Sequence, residues 1–63
     1  MNKNTIYLKL ENNKQKKIKE FNIGEKDKAI KHAYKLAYIN FNSKYFIITE
    51  DNKCLNINKQ IIL

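Results

Sequence analysis

Residues 25–40 read EKDKAIKHAYKLAYIN, and the spacing of their apolar side chains decides the fold. Ala29, Ile30, Ala33, Leu36, Ala37 and Phe41 fall on one side of a helical wheel. Lys28, Lys31 and Lys35 fall opposite, flanked by Tyr34 and Tyr38, which is the pattern of a surface helix with one face inward. Asn22 and Glu25 have the spacing of a capping box at its start. The alanines recur every four residues, so the helix can approach whatever it covers closely.

Outward from this helix lie two pairs of strand-like runs, 5–10 and 16–23 before it, 44–50 and 53–58 after it. In the first, Ile6, Leu8 and Leu10 alternate with Thr5, Tyr7 and Lys9, as in a strand with one face buried. Residues 11–15 form a polar hairpin loop. The second run breaks parity at Ile18. Either a bulge near Lys19 and Glu20 brings Ile18, Phe21 and Ile23 to the core side, or Ile18 stays exposed. Residues 45–48 are apolar on both faces, which marks a central strand. Asp51 and Asn52 make the second hairpin turn, and Leu55 and Ile57 point inward. Residues 61–63 extend the last strand or fold back, and residues 1–4 read as a mobile start.

The order β-β-α-β-β predicts an α+β domain over residues 1–63. A four-stranded antiparallel sheet of order 2-1-3-4 has one helix on one face. A ubiquitin-like β-grasp, with the first strand parallel to a later one, is the alternative. A chain this short buries roughly 60% of its unfolded surface and leaves little room for a deep cavity.

Thirteen lysines, no arginine and six acids give a formal charge of +7. Lys, Asn and Ile make up 33 of the 63 residues, a bias that an AT-rich genome writes by default. The charge nonetheless draws the protein toward nucleic acid, anionic lipid or an acidic protein face. Lysine cannot form the bidentate fork to guanine, so binding would be to the backbone and not sequence-specific. The single cysteine, Cys54, allows no internal disulfide. No apolar run reaches the length of a signal-peptide core or a membrane span. A cytosolic protein of a phage, a bacterium or another AT-rich host is expected, with no membrane partner.

Catalytic groups are sparse. His32, the only histidine, has no ligand or base within a helical turn and reads as a boundary residue. Ser43 has no neighbouring base, and Cys54 reads as an inert or mildly exposed thiol. Glu50 and Asp51 sit together in a turn, where solvent keeps both ionised. Gly24 is the only glycine, so there is no phosphate loop. The expectation is a non-enzymatic protein without cofactor or metal.

Two binding surfaces are expected. One is the helix stripe Lys28, Lys31, Lys35 with Tyr34 and Tyr38, where lysines meet anions and tyrosines stack or fill a pocket. The other is the sheet face away from the helix, expected to carry Tyr7, Lys9, Tyr45, Ile47 and Asn56 and to suit protein contact or a homodimer.

The stretch Phe21-Asn22, Glu25, Ala29, Ala33-Tyr34, Ala37 resembles the end of an AP2-type DNA-binding domain. That family places three strands before its helix and reads DNA with arginine and tryptophan, both absent here. The layout as a whole is similar to small accessory proteins of phages and mobile elements, including some anti-CRISPR proteins. The features that match are the first hairpin, the helix with Lys28-Ala29-Ile30 and Ala33, and the hairpin over 45–57. That resemblance implies a protein that inhibits a nucleic-acid-handling defence complex through a charged surface. A non-specific nucleic-acid binder and a structural homodimer are the competing expectations.

Overall fold

The computed structural model describes residues 3–40 and 42–57. Strand β1 (Asn4–Lys9) and β2 (Gln15–Phe21) precede helix α1 (Lys26–Ile39), and β3 (Lys44–Ile48) and β4 (Cys54–Ile57) follow it. The sheet order is β2-β1-β3-β4, and every neighbouring pair is antiparallel. This is the expected α+β arrangement. Because β1 runs antiparallel to both of its neighbours, the β-grasp is set aside. Phe41, Asn58 and 61–63 lie outside the described residues.

Ala29, Ala33 and Ala37 are buried, and Ala33 and Ala37 cluster with the fully covered Ile6 and Ile47 of the two central strands. Burying each isoleucine contributes about 2–3 kcal/mol relative to leaving it in water. Leu8, Phe21, Ile30 and Leu36 close the margins of this cluster. Small side chains on the helix thus meet large ones on the sheet.

Register assigns the faces. Residues directly opposite one another in an antiparallel pair share a face. Ile6 faces Ile47, Leu8 faces Tyr45, and Tyr45 faces Ile57, so all of these belong to the helix side. Tyr45 and Ile47 were expected on the open face and lie beneath the helix instead, Tyr45 only 7% exposed. Residues 45–48 are apolar throughout, so alternation left β3 without a phase. Pairing to β1 supplies one, and it puts Phe46 and Ile48 on the open side.

The break in β2 is a bulge: the register shifts between Ile6 and Tyr7, which face Lys19 and Lys17. Ile18 is the residue between them and stays 36% exposed. Of the three apolar residues on this run, only Phe21 reaches the core cluster. Ile23 is exposed in the turn before the helix, and Leu10 is exposed just past the end of β1.

Turns are built from residues that tolerate left-handed backbone. Asn12 and Asn13 (φ 62° and 61°) close the first hairpin, with Leu10 N–H donating to Lys14 C=O at 2.8 Å. Asn52 (φ 63°) ends the second, where Asn52 N–H donates to Thr49 C=O and Thr49 N–H to Lys53 C=O, both at 2.8 Å. Buried Thr49 also bonds to the Asp51 carboxylate through its hydroxyl, which accepts the Lys53 N–H at 3.1 Å. Gly24 (φ 90°) takes the position in the Asn22–Glu25 turn that needs a positive φ. Glu25 accepts the Asn22 N–H at 3.0 Å, one arm of the expected box. Glu25 itself stands at the cap position, and its side chain makes no capping hydrogen bond to the helix.

Asn4 was expected in a mobile start; it is fully buried at the first position of β1. Its side-chain amide donates to Glu50 Oε1 at 3.1 Å and to Asn22 C=O at 3.2 Å, and its Oδ1 accepts the Glu50 N–H at 2.9 Å. Glu50 Oε1 also accepts the Gly24 N–H at 3.0 Å. One side chain thereby joins β1, the loop into the helix and the β3–β4 turn.

Two expectations test this frame. Ala33→Leu forces the helix off the sheet and should cost about 1–3 kcal/mol in denaturant unfolding; an unchanged midpoint would contradict the close contact. The Asn4 amide, then the Gly24 N–H, hold the Glu50 carboxyl below its usual 4.5. A carboxyl lowered on folding stabilises above its unfolded value and loses that contribution as pH falls through the folded one. Melting temperature should therefore fall less steeply below about pH 4.5 in Glu50→Gln than in the parent; parallel curves would reject the network.

Candidate binding surfaces

The outward side of α1 carries five of the expected site residues. Lys28, Lys31, Tyr34, Lys35 and Tyr38 are all exposed, because the three buried alanines turn the opposite side to the sheet. Tyr38 is 84% exposed, and its neighbour Ile39 is 64% exposed. Lys28 is paired with Glu25 at 3.3 Å, whereas Lys31 and Lys35 have no acidic partner among the described residues. The helix tip therefore combines apolar surface with two unpaired cations. Ile39 was not among the expected site residues; its place beside Tyr38 at the end of the wheel was the available signal.

The remaining expected residues divide between two layers. Tyr7 and Lys9 lie on the open sheet face, and Tyr45 does not. The Tyr45 hydroxyl accepts a hydrogen bond from Asn40 Nδ2 at 3.1 Å, and that same amide donates to Leu36 C=O at 3.2 Å. Tyr45 thus secures the C-terminal end of the helix and offers no ring to a partner. Its place on the open face is taken by Phe46, directly opposite Tyr7, with the two rings stacked at 5.2 Å and 15°. Lys9 faces Lys44 in the next row, and Lys17 and Asn56 flank the aromatic pair. Lys17 is ion-paired with Glu20, a contact that raises the lysine and lowers the carboxyl. The eight expected residues are therefore not brought together. Five share the helix face, two share the sheet face, and one is in the core.

A third feature lies at the β2 edge. The Phe21 ring sits 5.7 Å from His32 and has the Lys19 ammonium 5.0 Å from its centroid. Burial, then the charges of Lys19 and Lys35, push the imidazole below its usual 6.5. His32 is a boundary residue against an aromatic ring, as its pattern indicated. Cys54 is exposed on β4. Among the described residues no group of three or more His, Cys, Asp or Glu side chains is placed to hold a metal ion. Nor is any described helix long and apolar enough to cross a membrane.

Comparison with protein families, with curated sequences and with solved structures finds no match to this chain. The surfaces themselves must carry the functional reading.

The lowered imidazole has a testable sign. A histidine whose folded value lies below its unfolded one stabilises least when protonated, so stability falls as pH drops from about 6.5 toward the folded value. Replacing His32 by Gln should remove that loss from melting curves recorded between roughly pH 7.5 and 5. Retention of the same slope would place the titration elsewhere.

Proposed function

We propose that this chain is a non-enzymatic binding protein of a phage or mobile element that occupies and inhibits a host nucleic-acid-handling complex, in the manner of the anti-CRISPR proteins its layout resembles. The observation that carries this reading is the tip of α1, where Tyr34, Tyr38 and Ile39 are exposed among Lys31 and Lys35. Aromatic and apolar groups exposed next to unpaired cations are costly to leave in water and suited to burial in a partner's pocket. The core gains nothing from them, because the alanine side of the helix already fills the contact with the sheet.

The sign of the charge narrows the target. At +7 the protein has the wrong sign to imitate nucleic acid inside a basic channel. It suits an acidic face of the complex, or the phosphate backbone of a nucleic acid that the complex holds. Lysine supplies that attraction without base discrimination, so recognition of the complex would rest on the tyrosines and on shape. The site of action would be the host cytoplasm.

The test is plasmid interference in cells expressing a defence nuclease directed against that plasmid. Expression of this protein should restore transformation against at least one class of effector, DNA-targeting or RNA-targeting. Lys31→Glu with Lys35→Glu should abolish the rescue while the purified double variant melts within a few degrees of the parent. Undiminished interference across both classes, or full rescue by the double variant, would overturn the proposal.

A further inference from the structure

The sheet face away from the helix carries a different arrangement from the helix tip. Its central row reads Lys17, Tyr7, Phe46, Asn56 across β2, β1, β3 and β4, and the row beside it reads Gln15, Lys9, Lys44. Among the described residues no element lies over these rows. Tyr7 and Phe46 are half-buried in the sheet with their rings parallel. Lys9 and Lys44 stand directly opposite each other and are both exposed.

A like-charge pair directly across two strands is destabilising, and nothing in the fold compensates it: neither lysine has an acidic partner among the described residues. A polyanion would turn that repulsion into attraction. The adjacent aromatic row is two residues away along each strand, about 6.8 Å, a span that one nucleotide covers from base to phosphate. Unpaired bases stack on aromatic side chains irrespective of sequence, whereas duplex bases are already stacked on one another.

We infer that the open sheet face binds single-stranded nucleic acid, with bases stacked against Tyr7 and Phe46 and phosphates at Lys9 and Lys44. Charge complementarity chooses this occupant over a second copy of the chain. Two such faces brought together would oppose three lysines on each side with only one glutamate, Glu20, to offset them. The inference does not rest on the helix-tip reading. It supplies the protein with a second, independent surface on the opposite side of the sheet.

The experiment is fluorescence anisotropy with end-labelled oligothymidylate and oligouridylate of about twelve nucleotides and a random duplex of the same length, at roughly 50 and 200 mM salt. Both single strands should bind more tightly than the duplex. Tyr7→Leu with Phe46→Leu should weaken single-strand binding about tenfold or more, while Phe46→Trp keeps it. Lys9→Glu with Lys44→Glu should make the slope of log affinity against log salt shallower by about 1.4. Circular dichroism melts of each variant establish that the sheet is intact; if the leucine pair unfolds the chain, Phe46→Trp and the Lys9/Lys44 variant decide. Lys31→Glu with Lys35→Glu on the helix should leave the single-strand preference in place, which separates this surface from the helix tip. Equal affinity for duplex, or loss only in the helix variant, would overturn the inference. So would competition by polyglutamate as effective as by oligonucleotide, or self-association that Lys9→Glu with Lys44→Glu strengthens.

Discussion

The contact on which this structure depends is that of two helix alanines, Ala33 and Ala37, against Ile6 and Ile47 of the central strands. A domain of this size has one helix with which to cover one sheet, and its stability comes from a few fully dehydrated side chains. Alanine lets the helix backbone come down onto the isoleucines and costs no side-chain entropy on burial. Larger residues in the stripe would raise the helix and open the margins, where Leu8, Phe21, Ile30 and Leu36 now close the core. Because the interior is filled from one side of the helix only, its lysines, Tyr34 and Tyr38 are free of any packing duty.

That hydrophobic contact does not by itself align the ends of the elements. Polar groups do so at two corners. At one, buried Asn4 receives and gives hydrogen bonds among Glu50, Asn22 and, through the shared carboxylate, Gly24. At the other, Asn40 bridges the last helical turn to the Tyr45 hydroxyl. A buried polar side chain left without partners would cost about 1–3 kcal/mol. These bonds therefore discriminate the native arrangement of loop, helix and hairpin from near alternatives, beyond any net stability they contribute.

The same economy leaves two surfaces that the core does not use, one on each side of the molecule. The helix tip is apolar and cationic; the open sheet face has an aromatic pair beside two opposed lysines. Charge is common to both, so each would draw the protein toward anions over a range of about one Debye length. Their side chains differ, exposed Tyr38 and Ile39 in one case and the stacked Tyr7 and Phe46 in the other.

Periodicity determined the element order and the outward side of α1, because the helix and β1 each bury one clear stripe. The connection rules favoured the antiparallel order, and the pairing of β1 with both neighbours set the β-grasp aside. Periodicity also placed Tyr7 and Lys9 correctly. What it could not assign was the phase of β3, where 45–48 are apolar on both faces and alternation carries no information. Only pairing with β1 decided that Tyr45 and Ile47 go under the helix and that Phe46 joins Tyr7 on the open face. The role of Asn4 was likewise hidden. An asparagine near a chain start looks solvated until the two loops that bond it, eighteen and forty-six residues away, are brought beside it. Local pattern reports which side of an element is greasy; hydrogen bonds between distant segments decide which side of the protein it becomes.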